Sequence, residues 1–380
     1  LRCCRNNHTL ARYQHHAPAC VAIKSLPPMP TTARGGTPTH DTQTATTGSV
    51  VTTACARGAV PSMGEANPPG PRWLDRLESR LKSKLADLGA DGGMGCVHEY
   101  EDIRVNDIEK SMEVANRREN AAKNRYCNVL PFNDTRVVLG DGGYINASFI
   151  QSESSEKPAW TYIAAQGPLD NTAADFWAMV LQYKCKAVVM LTQTTENRRV
   201  KCSLYYPHEQ GEAMKVGQYR LVLAAMECLH GNDSVEVRTI HVLTKENSEP
   251  FIVRHYLYKD WPDHGTPPSV MGIRSIMEDL EDTKTGACSS TPVIHCSAGI
   301  GRTGTFCTLD IILRRLKQIL AGNQTPLEDA VNAMTDIKRL VMALRDQRRG
   351  MVQTVVSACM RHPPLSCCFA ATLYGSVELG

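Results

Sequence analysis

The string Val293-Ile294-His295-Cys296-Ser297-Ala298-Gly299-Ile300-Gly301-Arg302-Thr303-Gly304 places a cysteine at the end of an apolar run, then a glycine-rich stretch, then Arg and Thr opening a helical pattern. Strand, loop and helix in that order make an anion cradle. Loop N–H groups converge on one point, the positive end of the helix dipole aims at the same point, and glycines let the backbone approach closely. The same field favours a thiolate at Cys296, hence a nucleophile at neutral pH. Arg302 supplies a planar fork that can hold two equatorial oxygens of a phosphoryl group. A bare Cys-x5-Arg pair would carry little, because a chain with 15 cysteines contains about one by chance. The whole string with its flanking elements carries far more.

The elements that must position this loop are mixed in type. β-like runs occur at 144–150, 160–164, 187–191, 219–226, 235–242, 251–258 and 292–295. They alternate irregularly with helix-like segments near 105–119, 173–183, 270–281, 303–320 and 327–345. Several consecutive strands have no helix between them, so the expected fold is α/β (α+β), a twisted mixed sheet flanked by helices with the phosphate loop between a strand and a helix. Leu74, Leu77, Leu81, Leu85 and Leu88, between Pro71 and Gly89, predict an amphipathic helix that packs on the domain following it. Its charged face mixes both signs, which disfavours a membrane surface.

Composition excludes several classes. The net charge of +3 over 380 residues, with no long basic run, offers nothing for a nucleic-acid backbone. No stretch approaches the ~18 apolar residues of a membrane span, and no internal repeat appears. Residues 1–72 hold 11 Thr, 9 of the 21 Pro, seven basic residues and two acids, a balance of +5 that leaves −2 for the remainder. This leader is expected to be disordered, because it cannot bury enough surface to offset its chain entropy. Residues 73–354 are expected to form one catalytic domain that includes the leucine helix, and 355–380 an atypical tail. Met63 just before the first periodic segment is read as a candidate translation start, which native peptides from before it would refute. Of the cysteines, four lie in the leader, three in the tail and eight between. With no paired Cys-x2-Cys spacing they indicate neither zinc nor disulfides but a reducing compartment, and the seven cysteines of the body other than Cys296 are expected to be small buried groups. Location therefore reads as cytoplasmic with the nucleus open. An organelle transit peptide is disfavoured because scattered prolines break any amphipathic helix.

The active string, His-Cys-Ser-Ala-Gly-x-Gly-Arg-Thr-Gly, resembles that of the cysteine-dependent, tyrosine-specific protein phosphatases. The resemblance extends in order through Lys123-Asn124-Arg125-Tyr126, Asn128-Val129-Leu130-Pro131, Tyr144-Ile145-Asn146-Ala147-Ser148, Gln166-Gly167-Pro168, Asp175-Phe176-Trp177, Val188 to Thr192, Lys201-Cys202, Trp261-Pro262-Asp263-His264-Gly265 and Gln347 to Thr354. The 299–307 stretch and the Leu320-Ala321-Gly322 connection look most like soluble, plant-type members.

The resemblance implies that Cys296 attacks phosphorus in line to form a phosphocysteine. Arg302 and the amides of Ser297, Ala298, Gly299, Ile300, Gly301 and Arg302 would stabilise the equatorial charge. Asp263, on a mobile loop hinged near Trp261 and Pro262, would protonate the departing tyrosinate and later act as base. Gln353 would orient the hydrolytic water, Thr303 hydrogen-bond the leaving thiolate, and His295 hold loop and thiolate. Tyr126 would wall the pocket to a depth phosphoserine cannot span. Asn128, where many members have Asp, would grip substrate backbone. Glu196 and Lys201 match the family's acidic and basic loop residues near the site. Taken alone, Asp263 would be only a turn acid, Gln353 a surface amide, and Glu196 and Lys201 solvated charges. No metal or organic cofactor is implied, the partners are phosphotyrosine-containing proteins, and an exposed thiolate implies reversible peroxide inactivation.

One departure stands out. Family members continue after Gln353-Thr354 in an amphipathic, aromatic-rich helix, whereas Val355 to Pro364 here include two prolines and no such pattern. The closing helix is expected to be missing or replaced, at several kcal/mol. The alternative function is therefore an inactive phosphotyrosine-binding decoy, should the altered C-terminus disable the domain. A dual-specificity or inositide phosphatase would lack the Tyr126 wall and the Trp-Pro-Asp loop, and a rhodanese-like sulfurtransferase would lack Asp263 and Gln353.

Overall fold

The computed structural model describes residues 71–105, 110–140, 142–152, 161–246, 249–262, 265, 267–282, 290–321 and 326–354, all within one unit, Met63–Gly380. The expected tail (355–380), Asp263 and His264 lie outside the described residues, as does the expected leader apart from residues 71 and 72, which open the first helix.

The strand that precedes the 296–302 loop, Val293–His295, lies inside a nine-stranded sheet, fourth in its order, and is buried along its whole length. Numbered along the chain, the strands of this sheet are β1 (Arg136–Val138), β2 (Tyr144–Gln151), β3 (Thr161–Ala165), β4 (Ala187–Met190), β7 (Ala213–Val216), β8 (Tyr219–Leu229), β9 (Asn232–Leu243), β10 (Phe251–Tyr258) and β11 (Val293–His295). β5 (Thr195–Glu196) and β6 (Arg199–Val200) form a separate hairpin. The sheet order is β1-β2-β3-β11-β4-β10-β9-β8-β7. β11 runs parallel to β3 and β4, and β4 parallel to β10, while every other pair is antiparallel. The expected mixed sheet is thus present.

Alternation along the central strands builds a core on each face. Val188, Met190 and Val293 point to one side, where Phe176, Trp177, Met179 and Val180 of α3 (Ala173–Gln182) cover them. Val189 and Ile294 point to the other, against α4 (Met271–Asp282), α5 (Gly301–Leu320) and α7 (Ile337–Gln347). Leu77 and Leu81 of α1 (Pro71–Val105) pack on Leu316 and Ile319 of α5 and on Val331 and Met334 of α6 (Leu327–Thr335), as the leucine spacing predicted.

Three expectations are corrected. α1 does not stop at Gly89 but continues for 35 residues to Val105. Tyr100 and Ile103 near its end are buried, and that docking outweighs the ~1 kcal/mol each interior glycine costs a helix. The single helix expected over 327–345 is two, because the Asp336 carboxylate accepts from the Arg339 N–H at 3.2 Å and caps α7. Of the helix expected over 105–119, the described residues after Val105 show one turn, α2 (Glu113–Asn116), followed by a 3-10 helix at Arg118–Lys123. β1, β7 and the β5–β6 hairpin went unpredicted; each is only two to four residues long. Among the described residues no helix is long and apolar enough to cross a membrane.

Candidate active site

Backbone geometry at the end of β11 explains the glycines of the loop. Gly299 has φ +72°, and a Cβ there would lie 2.2 Å from the Ala165 carbonyl oxygen, so only glycine fits. A Cβ on Gly304 would meet the Val352 nitrogen at 2.4 Å, and its absence lets the segment carrying Gln353 lie against the start of α5. Cys296 is 5% exposed, and its Sγ accepts the Gly299 N–H at 3.2 Å.

Arg348, wholly buried, shapes the loop from behind. Its guanidinium donates to the carbonyls of Gly299 (2.9 Å) and Ala298 (3.2 Å), to Asn146 Oδ1 (2.8 Å) and to Ser148 Oγ (3.2 Å). Turning the Ala298 and Gly299 carbonyls toward Arg348 faces the N–H groups of the same peptides the opposite way, where that of Gly299 meets Cys296 Sγ. Burial pulls this guanidinium down to about 10, still charged at neutral pH.

His295 stands beneath the loop. Its Nδ1 lies 3.2 Å from the Cys296 carbonyl and its Nε2 2.6 Å from the Tyr205 hydroxyl, which also lies 2.8 Å from His255 Nε2. Burial lowers His295 to about 4, so it is neutral at pH 7. A neutral ring that donates from Nδ1 to a carbonyl must accept at Nε2. Tyr205 therefore donates to His295 and accepts from His255.

Arg302 is held by Glu196. Nη1 and Nη2 bond the two carboxylate oxygens at 2.6 and 2.8 Å, and Nη1 also donates to the Leu191 carbonyl at 2.9 Å. Burial alone would raise the Glu196 carboxyl, but Arg302, the Gln193 N–H and the Thr192 hydroxyl outweigh it and hold it below its ordinary value. The turn Asn197-Arg198, with φ of 49° and 61°, closes the β5–β6 hairpin and sets Glu196 opposite Arg199. Glu196, which by sequence could equally be a solvated charge, is thus the partner that orients the Arg302 guanidinium.

A cavity of about 330 Å³ opens over Cys296. Tyr126 forms one wall, its hydroxyl 2.9 Å from Ser297 Oγ, which donates to the Lys201 carbonyl at 2.9 Å. The wall is itself braced: the Arg125 N–H donates to Gln166 Oε1 at 2.9 Å, and Gln166 Nε2 to the Lys123 carbonyl at 2.8 Å. Asn128, Lys201, Arg199, Trp261, Pro262 and Gln353 complete the rim. The Gln353 side chain lies over Gly301, where a Cβ would sit 3.3 Å from its Oε1. Cys296, Ser297, Ala298, Gly301 and Arg302 line the cavity, while Gly299 and Ile300 complete the loop and Ile300 is buried.

Two expectations are revised here. Thr303 is buried and, among the described residues, its Oγ1 has no hydrogen-bond partner, while the Gly299 N–H serves Cys296 Sγ. The cysteines depart from expectation in both directions: Cys296, expected to be exposed, is buried like Cys185, Cys202 and Cys307, whereas Cys127 and Cys228 are exposed. Burial pushes the thiols of Cys185 and Cys202 up to about 12, which removes them as competing nucleophiles.

A family-wide pattern described as protein-tyrosine phosphatase matches residues 120–361. The chain belongs to the protein-tyrosine phosphatase family. It is 37% identical over 272 residues to the protein-tyrosine-phosphatase PTP1 of Arabidopsis thaliana, covering 68% of this chain and 75% of that one. Human tyrosine-protein phosphatase non-receptor type 13 is 38% identical over 244 residues, 63% of this chain but 9% of its own length. Tyrosine-protein phosphatase 1 of Dictyostelium discoideum is 31% identical over 287 residues, 68% and 53% of the two chains. Arg348 and Tyr205, which brace the loop and its His295, are residues that sequence reasoning missed. The signal for Arg348 was its place in the Gln347–Thr354 string; an isolated Tyr205 offered none.

Proposed function

We propose that this chain hydrolyses phosphotyrosine in proteins through a phosphocysteine intermediate. The observation that carries the reading is the convergence of Cys296, the 297–302 loop and the Glu196-held Arg302 at the floor of a cavity walled by Tyr126. The Cys296 thiolate attacks phosphorus, the phosphorus–oxygen bond to the ring breaks, and Asp263 gives its proton to the departing phenolate. Arg302 and the loop N–H groups carry the charge of the equatorial oxygens, where fixed dipoles need no reorganisation. A water oriented by Gln353 then attacks phosphorus and passes a proton to the Asp263 carboxylate. The sulfur–phosphorus bond breaks, releasing inorganic phosphate and the thiolate. Neutral His295 holds the Cys296 carbonyl and so the pitch of the loop. Asn128 at the rim accepts from or donates to the substrate backbone. Residues 71–354 form the catalytic unit, α1 included.

The test is hydrolysis of a phosphotyrosine peptide by residues 63–380 beside Cys296→Ser, with a metal chelator present and a phosphoserine peptide for comparison. Cys296-dependent, chelator-insensitive and tyrosine-selective turnover is expected. Binding of the phosphotyrosine peptide by folded protein without turnover would refute the hydrolase reading in favour of a decoy.

A further inference from the structure

The backbone just before Gln353 is strained. Val352, a β-branched residue, has φ +58°, a left-handed conformation that such side chains rarely adopt and that persists only where the surroundings over-determine it. Those surroundings come from three places. The Val352 N–H donates to the Ile300 carbonyl of the phosphate loop at 3.0 Å. Arg345 of α7 donates from Nε to the Met351 carbonyl at 2.9 Å and from Nη2 to the Val352 carbonyl at 3.2 Å. The third contribution is the far end of α1, more than two hundred residues away in sequence. Ile103 packs with Val352 and Val341 in one buried cluster and accepts from Arg345 Nη1 at 3.3 Å through its carbonyl. The Tyr100 ring lies 5.5 Å from the Arg345 guanidinium, and the Tyr100 hydroxyl donates to the Gln353 carbonyl itself.

Three successive carbonyls, those of Met351, Val352 and Gln353, are therefore clamped, the last of them by α1 alone among the bonds described. α1 lies before the first residue of the family match, and its leucine pattern explains only the packing of its other end on α5 and α6. The Gln353 side chain, by contrast, lies at the exposed rim and makes no hydrogen bond of its own among those described. Its aim over Gly301 follows from where its backbone is held.

We propose that Tyr100, at the end of α1, is a positioning residue for Gln353 and thereby for the second chemical step, the attack of water on the phosphocysteine. The proposal rests on the reading of Gln353 given above. Tyr100 touches neither phosphate nor water; it holds the carbonyl from which the Gln353 side chain departs. Because Gln353 acts only after the phenol has left, loosening it slows breakdown of the intermediate without slowing its formation.

The experiment is Tyr100→Phe, which keeps the ring and removes only the hydroxyl, with p-nitrophenyl phosphate in steady-state and stopped-flow assays. Loss of the bond to the Gln353 carbonyl, with the long 3.5 Å bond that the hydroxyl accepts from Arg345 Nη2, predicts a kcat about three- to tenfold lower, with kcat/KM, which reports only the first step, within about twofold of the unaltered chain. The p-nitrophenol burst should grow relative to the steady rate, because phosphocysteine accumulates. Tyr100→Phe should add nothing in a Gln353→Ala background. Ile103→Val, which trims the same clamp by one methyl, reads the same split should Tyr100→Phe fold poorly. Parallel falls in kcat and kcat/KM, an unchanged kcat, or full additivity with Gln353→Ala would overturn the proposal by leaving Tyr100 a merely structural residue. Absence of any burst or turnover in the unaltered chain would instead overturn the phosphatase reading beneath it.

Discussion

Replacing Arg348 by methionine should cost this protein both stability and rate, and the structure sets the size of each. The guanidinium is wholly buried, and lowering it from 12.5 to about 10 means that keeping its charge there costs roughly 3 kcal/mol. Against this stand four hydrogen bonds, to Gly299, Ala298, Asn146 and Ser148, each worth about 1.5–3 kcal/mol because the donor is charged. The arginine is therefore a net asset of several kcal/mol. Methionine has comparable length and no donors, so the change leaves buried acceptors without partners, and the expected loss is about 3–5 kcal/mol. The Ala298 and Gly299 carbonyls would no longer be turned away from the phosphate, and scattering the opposed N–H groups should lower kcat/KM about 100-fold. Urea denaturation reads the first effect as a lower midpoint at unchanged slope. Hydrolysis of p-nitrophenyl phosphate under folded conditions reads the second. A variant within about 1 kcal/mol and threefold of the unaltered chain would refute the idea that Arg348 sets the loop.

Three further outcomes follow from the same geometry. His295 is lowered to about 4 and His255 well below its ordinary value, so the unfolded chain binds protons that the folded chain refuses. Stability should therefore decline as pH falls from about 6.5 toward 4, by roughly 3 kcal/mol for His295; urea midpoints that stay flat across this window would contradict the buried neutral pair. Gly299→Ala would force a Cβ to 2.2 Å from the Ala165 oxygen at φ +72°, so a loss of at least about 2 kcal/mol and of measurable orthovanadate inhibition is expected, and a melting temperature within a degree or so of the parent would count against it. Stoichiometric peroxide should inactivate the enzyme by oxidising the Cys296 sulfur at the cavity floor to a sulfenic acid, with recovery in dithiothreitol. Exposed Cys127 and Cys228 should also react, and a Cys127→Ser/Cys228→Ser chain that resists inactivation would show that the wrong thiol had been named.

The sequence alone determined the local chemistry. A cysteine, three glycines and an arginine between an apolar strand and a helix specify a phosphate loop wherever they occur, because backbone N–H groups, helix dipole and guanidinium all act within a few residues of one another. Most long strands and helices were also legible, since their apolar periods run unbroken. The failures share a cause. The Gly89 stop and the single 327–345 helix were judged from local propensity, whereas Tyr100 and Ile103 find burial against a distant segment and Asp336 finds a cap. Likewise, the motifs around Glu196 and Arg348 placed both residues near the site, but not the pairing of Glu196 with Arg302, 106 residues away, nor the bracing of Gly299 from behind by Arg348. Whether a charge is solvated, paired or buried depends on which strands lie beside it. That is a property of the sheet order, in which β11 enters between β3 and β4, and it exists only once the chain has folded.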